Sequence, residues 1–408
     1  MVEVRAQSPI ARLVAARSLN TFGRAIISST VLYELFKRTD SNYVVAMVGA
    51  IQVLPVVLLF VPVGALVDRS DRRMLTTLCA MGAGAIGLGL AIASYFAAPV
   101  AVYLGLLFAF GCMTAVMAPS SVSLIPLIIA RPDLERTNRI SSSLQEIAAI
   151  SGPALAGLAL KLVSAQWIYA FVAVTGIAAG TLYRSLPKPR EIATPTNASA
   201  TRRDWRTGLR FIFRSPLLLP ALTLDMFAVL FAGVTALLPA VAEHVLHVDS
   251  LGYGILRSAQ SAGAVLSAVI TGRMRPWKRP GTVLLVVVAL FGAATIGFGL
   301  STSFPLSVAL LVACGALDNV SVVIRLTLEQ MVVPDAIRGR VAAVHFVFIG
   351  MSNELGAAES GVAAGLLGTV PAIVAGGALA ILVVGGVAAK WRELAAMPAL
   401  SDLKPADE

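Results

Sequence analysis

Apolar stretches of about twenty residues, each closed by a short polar or basic cluster, recur along the whole of this 408-residue chain. An α-helix needs about 20 such residues to cross the hydrocarbon core of a bilayer. On that ruler the pattern predicts helices over 12–36, 43–67, 74–95, 99–126, 140–163 and 166–184, then over 216–242, 252–272, 281–301, 304–329, 341–367 and 369–389. The expected fold is an all-α membrane protein with twelve transmembrane helices in two six-helix halves. Between the halves the pattern lapses: 185–215 carries Pro187, Pro189 and Pro195, then Arg202, Arg203, Arg206, Arg210 and Arg214. The domains are therefore read as 1–184, a cytoplasmic linker at 185–215, a second half at 216–390 and a cytoplasmic tail at 391–408. Within the linker, Trp205 to Phe213 mixes arginine with large apolar residues as an amphipathic helix lying on the inner leaflet would.

Composition closes off other classes. With 57% hydrophobic and 13% charged residues, there is too little polar surface for a soluble globular protein. A net charge of +10 would suggest nucleic acid in a soluble chain. Here, however, all but six of the 32 Lys and Arg residues fall in the tails, in the even-numbered loops or at the span ends that adjoin them; the others are Lys37, Arg38 and Lys161 at the opposite face, and Arg24, Arg257 and Arg325 deeper within spans. The positive-inside rule then places both termini in the cytoplasm and the protein in the cell inner (plasma) membrane, with no nucleic-acid partner expected. The run after Arg5, Arg12 and Arg17 is too long for a signal-peptide core and reads as the first span. Cys79, Cys112 and Cys314 lie inside apolar segments with no metal-ligand spacing, so they read as packing residues. Glu243-His244-x-x-His247-x-Asp249 has ligand types but no fourth clear ligand and reads as a solvated loop. No phosphate-binding loop is present to couple ATP. Neither a cofactor, a metal nor an enzymatic activity is expected.

Three motifs sharpen this picture. Gly64-Ala-Leu-Val-Asp-Arg-Ser-Asp-Arg-Arg73 reads as a charged cytoplasmic turn, with Gly64 allowing close helix approach, Asp68 capping or pairing, and Arg69, Arg72 and Arg73 in the headgroup zone. Pro132-Asp133 and Pro334-Asp335 are 202 residues apart in matching surroundings, the mark of a parallel repeat whose halves rock about a midplane binding site. Ser151-Gly152-Pro153 through Gly157 interrupts the fifth span, and Pro55, Pro62 and Pro119 are further expected kinks. Glycines at 82, 84, 87 and 89 in the third span and at 292, 297 and 299 in the ninth predict close helix packing.

These motifs resemble the major facilitator superfamily over nearly the whole chain: Gly64–Arg73 is similar to its signature loop, and Ser151–Gly157 to the glycine-proline motif of its drug and proton antiporters, with Ala156-Gly157 a departure. Leu224–Leu230, Gly254–Ala259, Gly315–Arg325, Arg338–Val341 and Ser352–Gly356 further resemble the bacterial branch containing the enterobactin exporter and related efflux proteins. The resemblance implies the major facilitator fold and proton-driven export; the substrate does not follow from it.

Ionisable residues inside spans are costly and are functional candidates by default. Asp318, Arg325 and Glu329 share one helical face, at spacings of seven and four, and Glu354 lies near the middle of the eleventh span beside Asn353, with Glu359 beyond. Asp318, Glu354 and Asp225 are the proton-coupling candidates. Against this stands a reading of Asp318, Arg325 and Glu329 as a structural ion-pair ladder, favoured for Glu329. Asn20 and Arg24, with Asp225, Asn353 and Glu354, are candidate substrate contacts; Arg24 and Asp225 are expected to pair until an anionic substrate displaces the carboxylate. Gly64, Asp68, Arg69, Arg72, Arg73, Gly152, Pro153, Arg325 and Glu329 are candidate gating elements. Glu34 and Arg257 are expected near the outer face as a gate or as snorkelling residues, Glu146 against the signature loop, and His345 as a structural histidine. The chain thus reads as a secondary transporter, expected to be a monomer, that exports an amphipathic siderophore or drug-like molecule in exchange for protons. The alternatives are a proton-symport importer of a small metabolite and a non-transporting membrane receptor.

Overall fold

The computed structural model describes residues 8–188, 205–274, 277–334 and 337–403, and the side chain of Asp68 lies outside the described part. Pro189, Pro195, Arg202, Arg203 and Asp335 also lie outside the described residues. The described elements are α1 (Pro9–Thr39), α2 (Asn42–Arg69), α3 (Arg72–Tyr95), α4 (Val100–Ile128), α5 (Arg131–Leu162), α6 (Ala165–Arg184), α7 (Trp205–Arg214), α8 (Leu218–Ala232), α9 (Ser250–Thr271), α10 (Pro280–Leu300), α11 (Phe304–Val332), α12 (Arg338–Leu367), α13 (Thr369–Lys390) and the short α14 (Arg392–Ala395). No strand occurs among the described residues. Ten helical stretches among them are long and apolar enough to cross a membrane. Helices α1 and α9, both interrupted by arginine and other polar residues, fall outside that set. The protein is an all-α, multi-pass membrane protein. Large apolar side chains such as Leu58, Leu162, Trp167 and Leu382 are well exposed, as lipid-facing surfaces require.

Local chemistry sets the helix ends. Ser8 caps α1 by accepting from the Ala11 amide at 3.2 Å, with Pro9 in the first turn, and Asp40 closes α1 in the left-handed region at φ 48°. Asp71 caps α3, its Oδ1 accepting from the Arg73 and Met74 amides at 2.8 and 3.2 Å. Two boundaries differ from the sequence expectation. Helix α5 begins nine residues earlier than 140, because Pro132 is tolerated at the helix start and Asp133 complements the positive dipole end there. The expected continuous helix over 216–242 ends at Ala232: Gly233 leaves the helical region (φ −75°, ψ 86°), and a 3-10 turn at Val234–Leu237, a single α turn at Leu238–Ala240 and a π turn at Val241–Val245 follow.

The chain divides into two compact units. The first holds α1 to α6 together with His247–Ser258, which carries the start of α9. Its core joins Leu13, Ala16, Cys79, Ala80, Leu124, Ala179 and Tyr183. Helices α3 and α6 cross with near backbone contact: a Cβ on Gly176 would lie 2.6 Å from the Gly84 Cα, so neither position accepts a side chain without separating the helices. The second unit holds α7, α8, the remainder of α9 and α10 to α13. Its core joins Leu224, Ala228, Leu284, Phe291, Cys314, Ile324, Leu328 and Val384.

Candidate functional site

In the second unit, α8 and α11 bring two carboxylates and one guanidinium together. Arg325 ion-pairs with Asp225, their side chains 2% and 10% exposed, and the Arg325 Nε donates to the Ser321 carbonyl at 3.2 Å. Asp225 and Asp318 line one small cavity with Ser321, Leu317, Phe291 and Val288. Its volume of about 10 Å³ is near the minimum for a single water. Asp318 lies in electrostatic reach of both members of the pair. In the low dielectric of a membrane interior, two anions facing one cation leave one negative charge without an equal opponent, and a proton is the smallest ligand that removes it.

Among the described contacts the charged residues of α11 pair with other helices rather than with one another. Arg325 reaches Asp225 on α8, while Glu329 accepts the contact of His345 Nδ1 on α12 at 2.5 Å, both groups buried. Asn353 Nδ2 donates to the Ile349 carbonyl at 2.9 Å, so it is spent locally, and Glu354 is half-buried.

In the first unit, Asn20 and Arg24 line a second cavity of about 10 Å³ with Cys79, Phe110, Met113 and Thr114. It offers one cation, one amide, one hydroxyl and a polarisable apolar wall, which suits an anionic group attached to an apolar body. Cys79 and Cys314 are buried and Cys112 is half-buried, all three as free thiols.

The candidate gating residues make contacts that the sequence did not state. No described atom lies within 4 Å of a Cβ built on Gly64, so this glycine is not at a close crossing. The charged turn is shorter than expected, since α2 runs to Arg69 and α3 starts at Arg72. Arg73 donates to the Leu186 carbonyl, just past the end of α6, at 2.7 Å, and Arg72 reaches the Ser123 carbonyl within α4 at 3.5 Å. Arg69 is exposed. Gly152 meets α1, where its Cβ would lie 2.7 Å from the Ala25 Cβ, next to Pro153 inside α5. Glu146 is exposed and makes no hydrogen bond or ion pair among the described residues, because Gln145 rather than Glu146 takes the α1-facing position, opposite Thr21.

Glu34, expected near the outer face, sits at the far end of α1 among hydroxyl partners that the sequence did not indicate. Glu34 Oε1 accepts from Ser94 Oγ at 2.7 Å and Tyr103 OH at 2.9 Å, and Oε2 accepts from Tyr169 OH at 2.7 Å. Arg38, 3.9 Å from Glu34, also donates to Tyr103 OH and to the Ala97 and Ala98 carbonyls. Glu34 therefore joins α1, α3, α4 and α6 as an anchor. Arg257, its suggested gating partner, donates to Ser28 Oγ at 3.0 Å. Nearby, Lys161 and Asp249 pair at 2.6 Å, and this bond together with the Gly252 amide holds the Asp249 carboxyl below its ordinary range. Among the described residues no group of three His, Cys, Asp or Glu side chains is arranged to hold a metal ion.

Helices of membrane-spanning length in two compact units, each unit with a small cavity presenting ionisable side chains, define a polytopic helical membrane protein. Residues 9–407 match the family model described as "Transmembrane secretion effector", and the chain belongs to that family of the major facilitator superfamily. Among curated proteins it is similar to the enterobactin exporter EntS of Shigella dysenteriae serotype 1 (28% identical over 289 residues) and to that of Escherichia coli O127:H6 (29% over 290 residues). Each match covers 68% of this chain and 66% of the relative, just under two thirds of its length. Among solved structures, a bacterial homologue of the human lysosomal transporter Spinster aligns with a TM-score of 0.74 at 15% identity, covering 97% of both chains. A point mutant of the nucleoside transporter NupG aligns with a TM-score of 0.76 at 11% identity, covering 94% of this chain and 99% of that one. At such identities these two likenesses establish the fold.

Proposed function

We propose that this protein is a proton-driven exporter of the cell inner membrane, working by alternating access with both termini cytoplasmic and as a monomer, and that it moves an amphipathic, anionic small molecule of siderophore or drug-like character. One observation carries the reading: Asp318 lines one small cavity together with Asp225, which holds Arg325, and lies within electrostatic reach of that pair. With Asp225 holding Arg325, Asp318 is the carboxyl free to take up and release a proton. Protonated, it leaves the Asp225–Arg325 pair electrically balanced; deprotonated, it competes with Asp225 for the guanidinium, and the two arrangements are the discrete states that a coupled transporter needs. On the substrate side, Arg24 and Asn20 supply polar recognition, and Met113, Met117 and Phe110 supply an adaptable apolar wall. The name of the curated relatives, enterobactin exporters, supports a catecholate siderophore as the first cargo to test.

The test uses inverted membrane vesicles given a fluorescent amphipathic dye or a catecholate siderophore, with and without a proton gradient. Accumulation that needs the gradient and fails in Asp318→Asn supports the reading. Accumulation driven in the opposite gradient direction would make the protein an importer by symport. Gradient-dependent accumulation that persists unchanged in Asp318→Asn would remove Asp318 from coupling.

A further inference from the structure

Helix α7, Trp205–Arg214, plays no part in the proposed transport chemistry, yet it is the most amphipathic of the described helices. Its inward side is fixed: Ile212 is 2% exposed and joins the core of the second unit, with Leu209 and Phe211 packed beside it. Gly208 meets the start of α12, where an added Cβ would lie 2.8 Å from the Arg340 carbonyl oxygen, so the helix is seated directly on backbone. The outward side presents Arg206, Arg210, Phe213 and Arg214, a stripe at helical spacing, with Phe213 58% exposed. The helix contains no Asp or Glu, and Arg210 and Arg214 make no hydrogen bond or ion pair among the described residues. Only Ser215, Pro216 and Leu217 separate this face from α8, which begins a stretch of membrane-spanning length. The exposed Arg338 of α12 adds charge close to the seat of Gly208.

An exposed phenylalanine among arginines, just ahead of a membrane helix, matches one environment: an apolar boundary overlain by anions. We propose that the Arg206–Arg210–Phe213–Arg214 face of α7 is a docking surface for anionic phospholipid headgroups, with Phe213 in the acyl boundary. Because α7 rests on Arg340, lipid bound there stabilises the seat of α12. Each arginine near an anionic surface contributes about fivefold in affinity.

The test measures anisotropy of a dye-labelled phosphatidylglycerol binding to the full-length protein in mixed micelles, against a phosphatidylcholine of the same chains. Phosphatidylglycerol should bind at least about tenfold more tightly, and Arg210→Gln/Arg214→Gln should lose roughly twenty-five-fold, two arginines at about fivefold each. Arg210→Lys/Arg214→Lys, which keeps the charges, should retain most of the binding and shows that the site survives substitution. Equal binding of both lipids, or an unaffected Gln variant, overturns the proposal. So does displacement by millimolar inorganic phosphate, which would indicate a soluble-anion site, or by a polyglutamate peptide, which would indicate a protein partner. The readout is independent of transport, so failure of the exporter reading leaves it intact.

Discussion

Neutralising both members of the Asp225–Arg325 pair should cost clearly less than the two single neutralisations summed. The side chains are 10% and 2% exposed, so solvent and salt screen them little, and removing one partner leaves the other as a buried charge. Breaking such a pair from one side costs about 3–5 kcal/mol, whereas replacing both charges with neutral groups of similar shape is often close to neutral. Asp225→Asn and Arg325→Met should therefore each destabilise by about 3 kcal/mol or more. The double variant should lose less than the sum of the singles, with a coupling of about 2 kcal/mol, inside the range for interacting buried neighbours. Asp318 modifies the outcome in a specific way. In Asp225→Asn it is the available replacement carboxylate for Arg325, so this single variant should be the milder one and should become worse when Asp318→Asn is added. Reversible unfolding of the purified protein in detergent, followed by denaturant titration, gives the four corners of the cycle. Additivity of the two single changes within about 0.5 kcal/mol would refute the reasoning.

Three further outcomes follow from the same contacts. Glu34→Ala should leave two tyrosine hydroxyls and the Ser94 hydroxyl without their acceptor and destabilise by about 3 kcal/mol or more, while Tyr169→Phe removes one charge-assisted bond at about 1.5–3 kcal/mol; denaturant unfolding measures both, and a harmless Glu34→Ala would contradict the anchor role. Gly176→Val should force α3 and α6 apart and lower the melting temperature sharply, while Gly64→Ala, with no described atom within 4 Å, should be tolerated in the same thermal scan. Asp249 has a depressed folded-state carboxyl, so the stability its pairing gives is present above the ordinary carboxylate range and is lost as pH falls through the lower folded-state value. Melting temperature measured from about pH 7 down to about pH 3 should drop on the acid side in the wild type, and that component should be absent in Asp249→Asn.

The positions of the helices were readable because each one needs its own run of apolar residues, and no other element is required to recognise it. The exceptions are where two signals compete. Arg131–Arg139 is too polar to register as a span, yet it is good helix with Pro132 and Asp133 at its start, and α5 simply begins there. The run from 216 to 242 is apolar throughout, but Gly233 and Pro239 break the backbone without changing the hydropathy. Which residues carry charge inside the membrane was equally plain, and Asp225, Asp318, Arg325 and Glu329 all fall at buried or half-buried positions. Their pairing was not readable. Spacing along α11 suggests neighbours on the same helix, whereas Asp225 and His345 come from helices whose rotation about their own axes no local pattern states. The partners of Glu34 escaped for a related reason: Ser94, Tyr103 and Tyr169 are ordinary residues in their own spans and surround its carboxylate only when four helices meet. Two tyrosines close to the starts of α4 and α6 were the available hint.

The central claim is that Asp318 carries the proton which drives export. Its most direct measurement is proton movement itself, in proteoliposomes holding a pH-sensitive dye, when a catecholate siderophore or amphipathic dye gradient is imposed on wild type and on Asp318→Asn at matched protein content. Wild type should move protons counter to the substrate, and Asp318→Asn should bind the substrate and exchange it across the membrane without moving protons. Counter-movement of protons persisting in Asp318→Asn would contradict the account.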